Sequence, residues 1–306
     1  MMTSGTRHGA VREIPLEWRD HLLVLGTRAF AKSVFALPFG WAFRRRVVDL
    51  NARLRRPRPD VAVAYRDIAG IACRVATPAG ATDAPPLVWL HGGGFVMCSP
   101  DTHARMLDAL AVASRRRVVA PRYRLAPEHP FPAGFDDAAA VVRAVGRCAL
   151  GGDSAGANLA AGVAAMRAAE GGAPERLVLV SPPADLDTDR PPPPCREMVL
   201  SVATVERIVA AYLAPDTDLR DPRLSPVHAD WRGGPPTLIH VADGELLQAD
   251  AERLAAAMAR DGVDVTLEAW RGVPHDWHMA AGHAPVADRA IARIADFLGG
   301  GAGTPG

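Results

Sequence analysis

Between Cys148 and Asn158 an apolar run stops at glycines around one serine, Gly151-Gly152-Asp153-Ser154-Ala155-Gly156-Ala157-Asn158, and an alanine-rich helical pattern begins at once. A strand that turns straight into a helix through G-x-S-x-G puts its serine on a strained corner. Such a corner closes only where Gly152 and Gly156 have no Cβ to collide with neighbouring backbone. Ser154 is pushed outward, and the helix that follows aims free amides and a partial positive charge at whatever Ser154 attacks. A chain built around such a corner needs a strand before it, a helix after it, and a sheet to hold both.

The rest of the chain fits that demand. Short β-rich runs recur at Val61 to Tyr65, Ile71 to Ala76, Leu87 to Leu90, Arg117 to Ala120, Cys148 to Leu150, Leu177 to Ser181, Thr237 to Ala242 and Val265 to Trp270. Helical stretches separate most of the later ones. This alternation predicts an α/β fold with a mainly parallel central sheet, covered by helices on both faces, whose ligands bind beyond the carboxyl ends of the strands.

One post-strand loop, His91-Gly92-Gly93-Gly94-Phe95, follows Leu87 to Leu90 directly. Consecutive glycines let backbone N–H groups face a substrate oxygen without side-chain obstruction, which is what an oxyanion hole requires. Two later loops hold candidates for an acid and a base: Asp243 and Glu245 after Thr237 to Ala242, and His275 and His278 after Val265 to Trp270.

With these motifs in place the chain resembles the hormone-sensitive-lipase-like branch of the α/β-hydrolases, the bacterial carboxylesterases with an HGGG loop and a GDSAG elbow. Between the two motifs, Tyr123-Arg124-Leu125-Ala126-Pro127-Glu128-His129-Pro130-Phe131-Pro132-Ala133 is similar to a segment of that family, as are Ser181-Pro182 and Asp221-Pro222-Arg223-Leu224-Ser225-Pro226. The resemblance covers roughly residues 61 to 298.

It implies the α/β-hydrolase fold, Ser154 as nucleophile, His275 as base, and the amides of Gly93, Gly94 and Ala155 as the oxyanion hole, with His91 bracing the loop. For the acid the family frame favours Glu245, which lies 30 residues before His275. Asp243 is the alternative, and His278 reads as a pocket-wall or surface residue. The activity implied is cleavage of carboxylic esters or lactones without cofactor or metal, and the caps lead to an expectation of short to medium or compact acyl groups. Acyl transfer or lactone formation by the same triad is an alternative. A non-catalytic receptor on this scaffold is a more distant one, opposed by His275.

Two stretches read as caps, the first before the region of resemblance and the second within it. Residues 16 to 56 read as two helices broken near Pro38-Phe39-Gly40, and carry four of the eight phenylalanines (Phe30, Phe35, Phe39, Phe43) plus Trp41. They form a candidate cap in which Phe35, Phe39 and Trp41, with Phe95 from the core, are expected to touch substrate. The arginines Arg44, Arg45, Arg46, Arg53, Arg55 and Arg56 lie opposite the stripe Phe43, Val47, Leu50, Leu54 and read as a solvated helix face. Asp187 to Tyr212, with Pro191 to Pro194, resembles a second cap insertion.

The expected division is residues 1–60 as N-terminal cap helices, 61–186 and 221–299 as the two parts of the core, 187–220 as a cap insertion, and 300–306 as a disordered tail; residues 1 to 12 also look disordered. One departure stands out: between Asp137 and the elbow, Ala138 to Arg147 must supply nearly all of a helix and its connection.

Composition narrows the partners. The net charge is +1 and hydrophobic residues make up 49% of 306, so nothing favours nucleic acid. Cys73, Cys98, Cys148 and Cys195 share no metal or redox spacing. No apolar run reaches the ~18 residues of a membrane span, and the N-terminus lacks a cleavable apolar core. The expectation is a cytoplasmic protein with a small-molecule substrate, and one that leaves room for a homodimer.

Overall fold

The structure, a computed structural model, describes residues 7–8, 15–36, 40–53, 58–187, 195–196, 199–214 and 216–300, though not every side chain of its first elements. Phe39 and Pro191 to Pro194 lie outside the described residues, as do the side chains of Phe30 and Phe35. In chain order the first elements are β1 (Arg7–His8), α1 (Trp18–Ala36), α2 (Trp41–Arg53), β2 (Val61–Ile68), β3 (Ile71–Pro78), β4 (Leu87–Leu90), α3 (Ala104–Ser114) and β5 (Val118–Pro121). There follow α4 (Ala133–Val145), β6 (Ala149–Asp153), α5 (Ala155–Ala169), β7 (Leu177–Val180) and α6 (Val202–Tyr212). The last are β8 (Thr237–Ala242), α7 (Gln248–Arg260), β9 (Val265–Trp270) and α8 (Pro285–Leu298), with a short 3-10 turn at Trp277–Ala280.

The described strands form one sheet in the order β1-β9-β8-β7-β6-β4-β5-β3-β2. Pairing is parallel from β5 through β4, β6, β7, β8 and β9 to β1, and antiparallel only where β3 meets β5 and β2. This is the α/β-hydrolase architecture. Central strands such as Leu87-Val88-Trp89-Leu90 and Leu177-Val178-Leu179-Val180 are buried throughout, because helices cover both faces.

Their side chains alternate between two cores. Val88, Leu90, Leu177 and Leu179 join the layer with α4, α5 and α7, while Leu87, Trp89, Val178 and Val180 join the layer with α3 and α8. Helix α5 is almost wholly small residues. At Gly162 an added Cβ would come 2.9 Å from the Arg223 carbonyl oxygen, so the helix lies close against its neighbours.

Arg7 and His8, expected to be disordered, pair with Thr266 and Leu267 of β9. That edge strand offers a ladder of backbone groups which two residues suffice to engage. The short stretch before the elbow is explained by α4, which begins at Ala133, upstream of Asp137, and ends at Gly146, whose φ of 75° turns the chain tightly into β6.

The arginine-rich helix departs from its sequence reading at Arg44 and Arg45, which face inward, while Arg46 is exposed as read and Leu54, Arg55, Arg56 and the side chain of Arg53 lie outside the described residues. Arg44 is buried with its guanidinium 4.8 Å from the centre of the Trp41 ring, and Arg45 donates to Val96 O at 2.7 Å, to Ala126 O and to Glu128. Asp49 accepts from Ser99 Oγ at 3.0 Å, whereas Phe43 and Leu50 stand exposed. Trp41, Arg44, Arg45, Val48, Asp49 and Ala52 make the inner face. The Arg44 guanidinium over the Trp41 ring and the Arg45 guanidinium on backbone carbonyls hold this face of the helix inward.

Helix α1 is tied down by Asp20, whose buried carboxylate accepts from Val286 N at the start of α8, at 3.1 Å. No described helix is long and apolar enough to cross a membrane.

Candidate active site

Ser154 occupies the corner between β6 and α5 with φ 51° and ψ −123°, outside the regions an L-residue prefers. Its N–H donates to Val180 O at 2.8 Å. A Cβ on Gly152 would come 2.4 Å from the Gly156 backbone, and one on Gly156 would come 2.0 Å from Leu90 O. Both glycines are therefore required by β4 and α5 themselves, which press against the elbow from either side.

Ser154 Oγ lies 3.0 Å from His275 Nε2, and His275 Nδ1 lies 2.8 Å from Glu245 Oε2. The other oxygen of Glu245 accepts from Ser181 Oγ at 2.6 Å and from Ala242 N at 3.0 Å, so the carboxylate is fixed on both sides. Asp243 is turned away from His275, with Oδ2 3.0 Å from Arg271 Nε. Three loops, after β6, β8 and β9, thus bring a serine, an imidazole and a carboxylate into line. Burial by itself would lower the basicity of His275, but the carboxylates of Asp276 and Glu245 beside it hold its pKa well above 6.5.

The HGGG loop stands opposite. Gly93 and Gly94 have φ of 116° and 62°, and a Cβ on either would meet Met97 O at 2.3 Å or Ile208 Cδ1 at 2.8 Å. Among the described residues the amides of Gly93, Gly94 and Ala155 donate to no protein acceptor. Three unspent N–H groups beside the Ser154 hydroxyl could serve a developing oxyanion.

The loop rests on Asp153, buried directly before the serine. Its carboxylate accepts from Trp89 Nε1 at 2.7 Å and Gly92 N at 2.8 Å, and pairs with His103 Nε2 at 2.9 Å. His91 lies beneath the loop, Nδ1 2.8 Å from Gly92 O, its ring stacked 4.3 Å from Tyr123. Burial drives His91 down to about 3, so it braces the loop as a neutral ring.

Above these groups opens a cavity of about 500 Å³ whose wall includes Ser154, Ala155, Gly93, Gly94, His275 and Asp276. Its outer wall comes from elements beyond the sheet: Gly26 and Thr27 of α1, Val48 of α2, and Val205, Ile208 and Val209 of α6. Phe95 lines it, its ring stacked 3.9 Å from that of Tyr212.

Trp41, read as substrate-binding, is not on this wall: it packs on the core beneath the Arg44 guanidinium. His278, read as wall or surface, is fully buried with Nε2 3.0 Å from His240 Nδ1. Burial and the neighbouring His240 hold it well below 6.5.

Sequence reasoning missed His103, Ser181 and Asp276, whose partners are distant in the chain or masked by a stronger neighbour. The α6 wall carried a usable signal, the i, i+3, i+4 spacing of Val205, Ile208 and Val209. Among the described residues no cluster of side chains is arranged to hold a metal ion.

Comparison with known proteins is consistent with this geometry. Residues 87–279 match a family described as alpha/beta hydrolase fold. The chain is 40% identical over 227 residues to an acetyl-hydrolase of Streptomyces hygroscopicus, covering 71% of this chain and 76% of that protein. It is 34% identical over 251 residues to the carboxylesterase NlhH of Mycobacterium tuberculosis, covering 76% and 78% of the two chains. Among solved structures it superposes on an esterase from the bacterial hormone-sensitive lipase family with a TM-score of 0.84 at 31% identity, covering 92% of this chain and 99% of that one.

Proposed function

Because the chain belongs to the hormone-sensitive-lipase-like branch of the α/β-hydrolase family, we propose that it hydrolyses carboxylic esters through an acyl-enzyme on Ser154. The observation that carries the reading is the unbroken line from Ser154 Oγ through His275 to Glu245, at 3.0 and 2.8 Å.

His275 Nε2 takes the hydroxyl proton as Ser154 Oγ bonds to the carbonyl carbon. The oxyanion so formed is held by the amides of Gly93, Gly94 and Ala155. The imidazolium, steadied by Glu245, then gives its proton to the leaving alkoxy oxygen as that C–O bond breaks. Water repeats the sequence on the acyl-enzyme, and carboxylic acid and free serine result.

The cavity is toward the small end of the ~300–1,000 Å³ range of ligand pockets, which favours short to medium acyl chains or a compact cyclic ester such as a lactone. In this reading residues 1–60 and 187–220 serve as the cap, through α1, α2 and α6. The cysteines are all free, which suits a reducing compartment such as the cytoplasm.

A p-nitrophenyl ester series from acetate to decanoate, read beside intact-mass detection of a phosphonate adduct, tests the proposal. Turnover of the shorter esters, one adduct on Ser154, and loss of both in Ser154→Ala are expected. An active Ser154→Ala protein would overturn it.

A further inference from the structure

The residue after the histidine adds a second carboxylate to the site. Asp276 lies in left-handed backbone, φ 55° and ψ 36°, on the wall of the cavity. Its Oδ2 stands 3.2 Å from His275 Nε2, the same nitrogen that faces Ser154 Oγ at 3.0 Å. Its other oxygen, Oδ1, is occluded and meets no donor among the described residues. The imidazole is therefore bracketed by carboxylates, Glu245 at one nitrogen and Asp276 at the other.

Every charged or titratable group turned toward Asp276 bears on what it does. His275 is its direct partner, Glu245 and Asp153 present like charge, and His103, just before α3, faces it across Asp153. The Cys98 thiol is also near, pushed up to about 12 by burial and hence neutral. Burial and the like charges favour the protonated acid, His275 favours the ionised one, and the carboxyl settles at about 6.

A general base must present a lone pair to the serine hydroxyl. Nε2 cannot both accept from Ser154 and donate a proton to Asp276, so the two contacts exclude one another. We propose that Asp276 is a positioning residue that competes with Ser154 for His275 Nε2, holding the imidazolium and keeping the site idle until that proton is released. The inference rests on the reading of Ser154 and His275 as nucleophile and base. The sign is definite: a carboxylate at Nε2 favours the charged ring, so His275 becomes a base only above its ordinary range near pH ~6.5.

Histidine ¹⁵N NMR of the full chain reads the ring directly, whether or not any ester is turned over. The His275 midpoint is expected above 6.5 in the wild type, about one pH unit lower in Asp276→Asn, and high again in Asp276→Glu. Asparagine and glycine both tolerate the positive φ, so Asp276→Gly serves as a second neutral variant.

The rising limb of kcat/KM against pH is expected to follow the same order. A wild-type midpoint at or below 6.5, or a midpoint unmoved in both neutral variants, would overturn the inference. A shifted midpoint in a chain that hydrolyses no ester would tell against the hydrolase reading alone.

Discussion

Glu245 meets His275 through Oε2 and Nδ1 at 2.8 Å, while Asp243, two residues earlier in the same loop, meets Arg271. The glutamate's extra methylene reaches across because Ser181 and Ala242 N hold its other oxygen in place. Replacing Glu245 by Gln removes the charge that fixes the ring tautomer and steadies imidazolium, and the expected loss in kcat is on the order of 10⁴, the size seen when a serine protease loses its triad carboxylate to an amide. Asp243→Asn breaks only a part-exposed ion pair and is expected to change kcat less than about threefold. Rates for both on one ester, with melts to confirm folding, decide between them; a crippled Asp243→Asn beside a near-normal Glu245→Gln would reverse the assignment.

The elbow glycines test the steric account. In Gly156→Ala the new methyl carbon would lie 2.0 Å from Leu90 O and 2.5 Å from His91 O, backbone that cannot swing aside as a side chain would. A loss of about 3 kcal/mol or more in urea unfolding is expected, since the strand and helix must separate. Gly171→Ala meets nothing within 4 Å but sits at φ 74°, so it costs only the backbone strain, about 1 kcal/mol. Equal losses in the two variants would show that close approach at the elbow is not what demands glycine.

Ile208 closes the cavity above the HGGG loop, its Cδ1 within 2.8 Å of where a Gly94 Cβ would stand. Ile208→Ala is expected to raise the ratio of kcat/KM for an octanoyl ester over an acetyl ester by about tenfold, and Ile208→Phe to lower it by a similar factor. Unchanged chain-length profiles in both variants would place the acyl group elsewhere.

His103 and Asp153 form a buried pair whose contribution depends on pH. Burial works against both charges, but their mutual attraction dominates, raising His103 and lowering Asp153. With its folded value above the unfolded ~6.5, His103 contributes full stability below that pH and loses it as pH rises through the folded value. The stability gap between wild type and His103→Gln is accordingly expected to be about 3 kcal/mol at pH 6 and to narrow steadily toward alkaline pH. Urea melts at pH 6, 7.5 and 9 check the trend; a gap that widens with pH would refute it.

Much of the site is legible in the sequence because its requirements are steric. Gly152 and Gly156 flank Ser154 since no other residue fits, and Leu87 to Leu90 ends where the HGGG turn must begin. What escapes notice is polar and non-local. The inner face of α2 is set by Arg44 and Arg45 finding a tryptophan ring and main-chain carbonyls, so counting apolar residues points to the wrong side. His278, in the turn after β9, is buried against His240 of β8, whose ring nitrogen it meets. Asp276 gains its meaning only once the ring of His275 turns Nε2 toward it.

The proposed triad and the outer wall of the cavity belong to separate stretches of chain. Ser154, Glu245 and His275 sit on loops of the sheet, whereas Thr27, Val48 and Val205 hang from helices outside it. A library confined to Thr27, Val48 and Val205 is therefore expected to change which esters enter while leaving the proposed triad untouched.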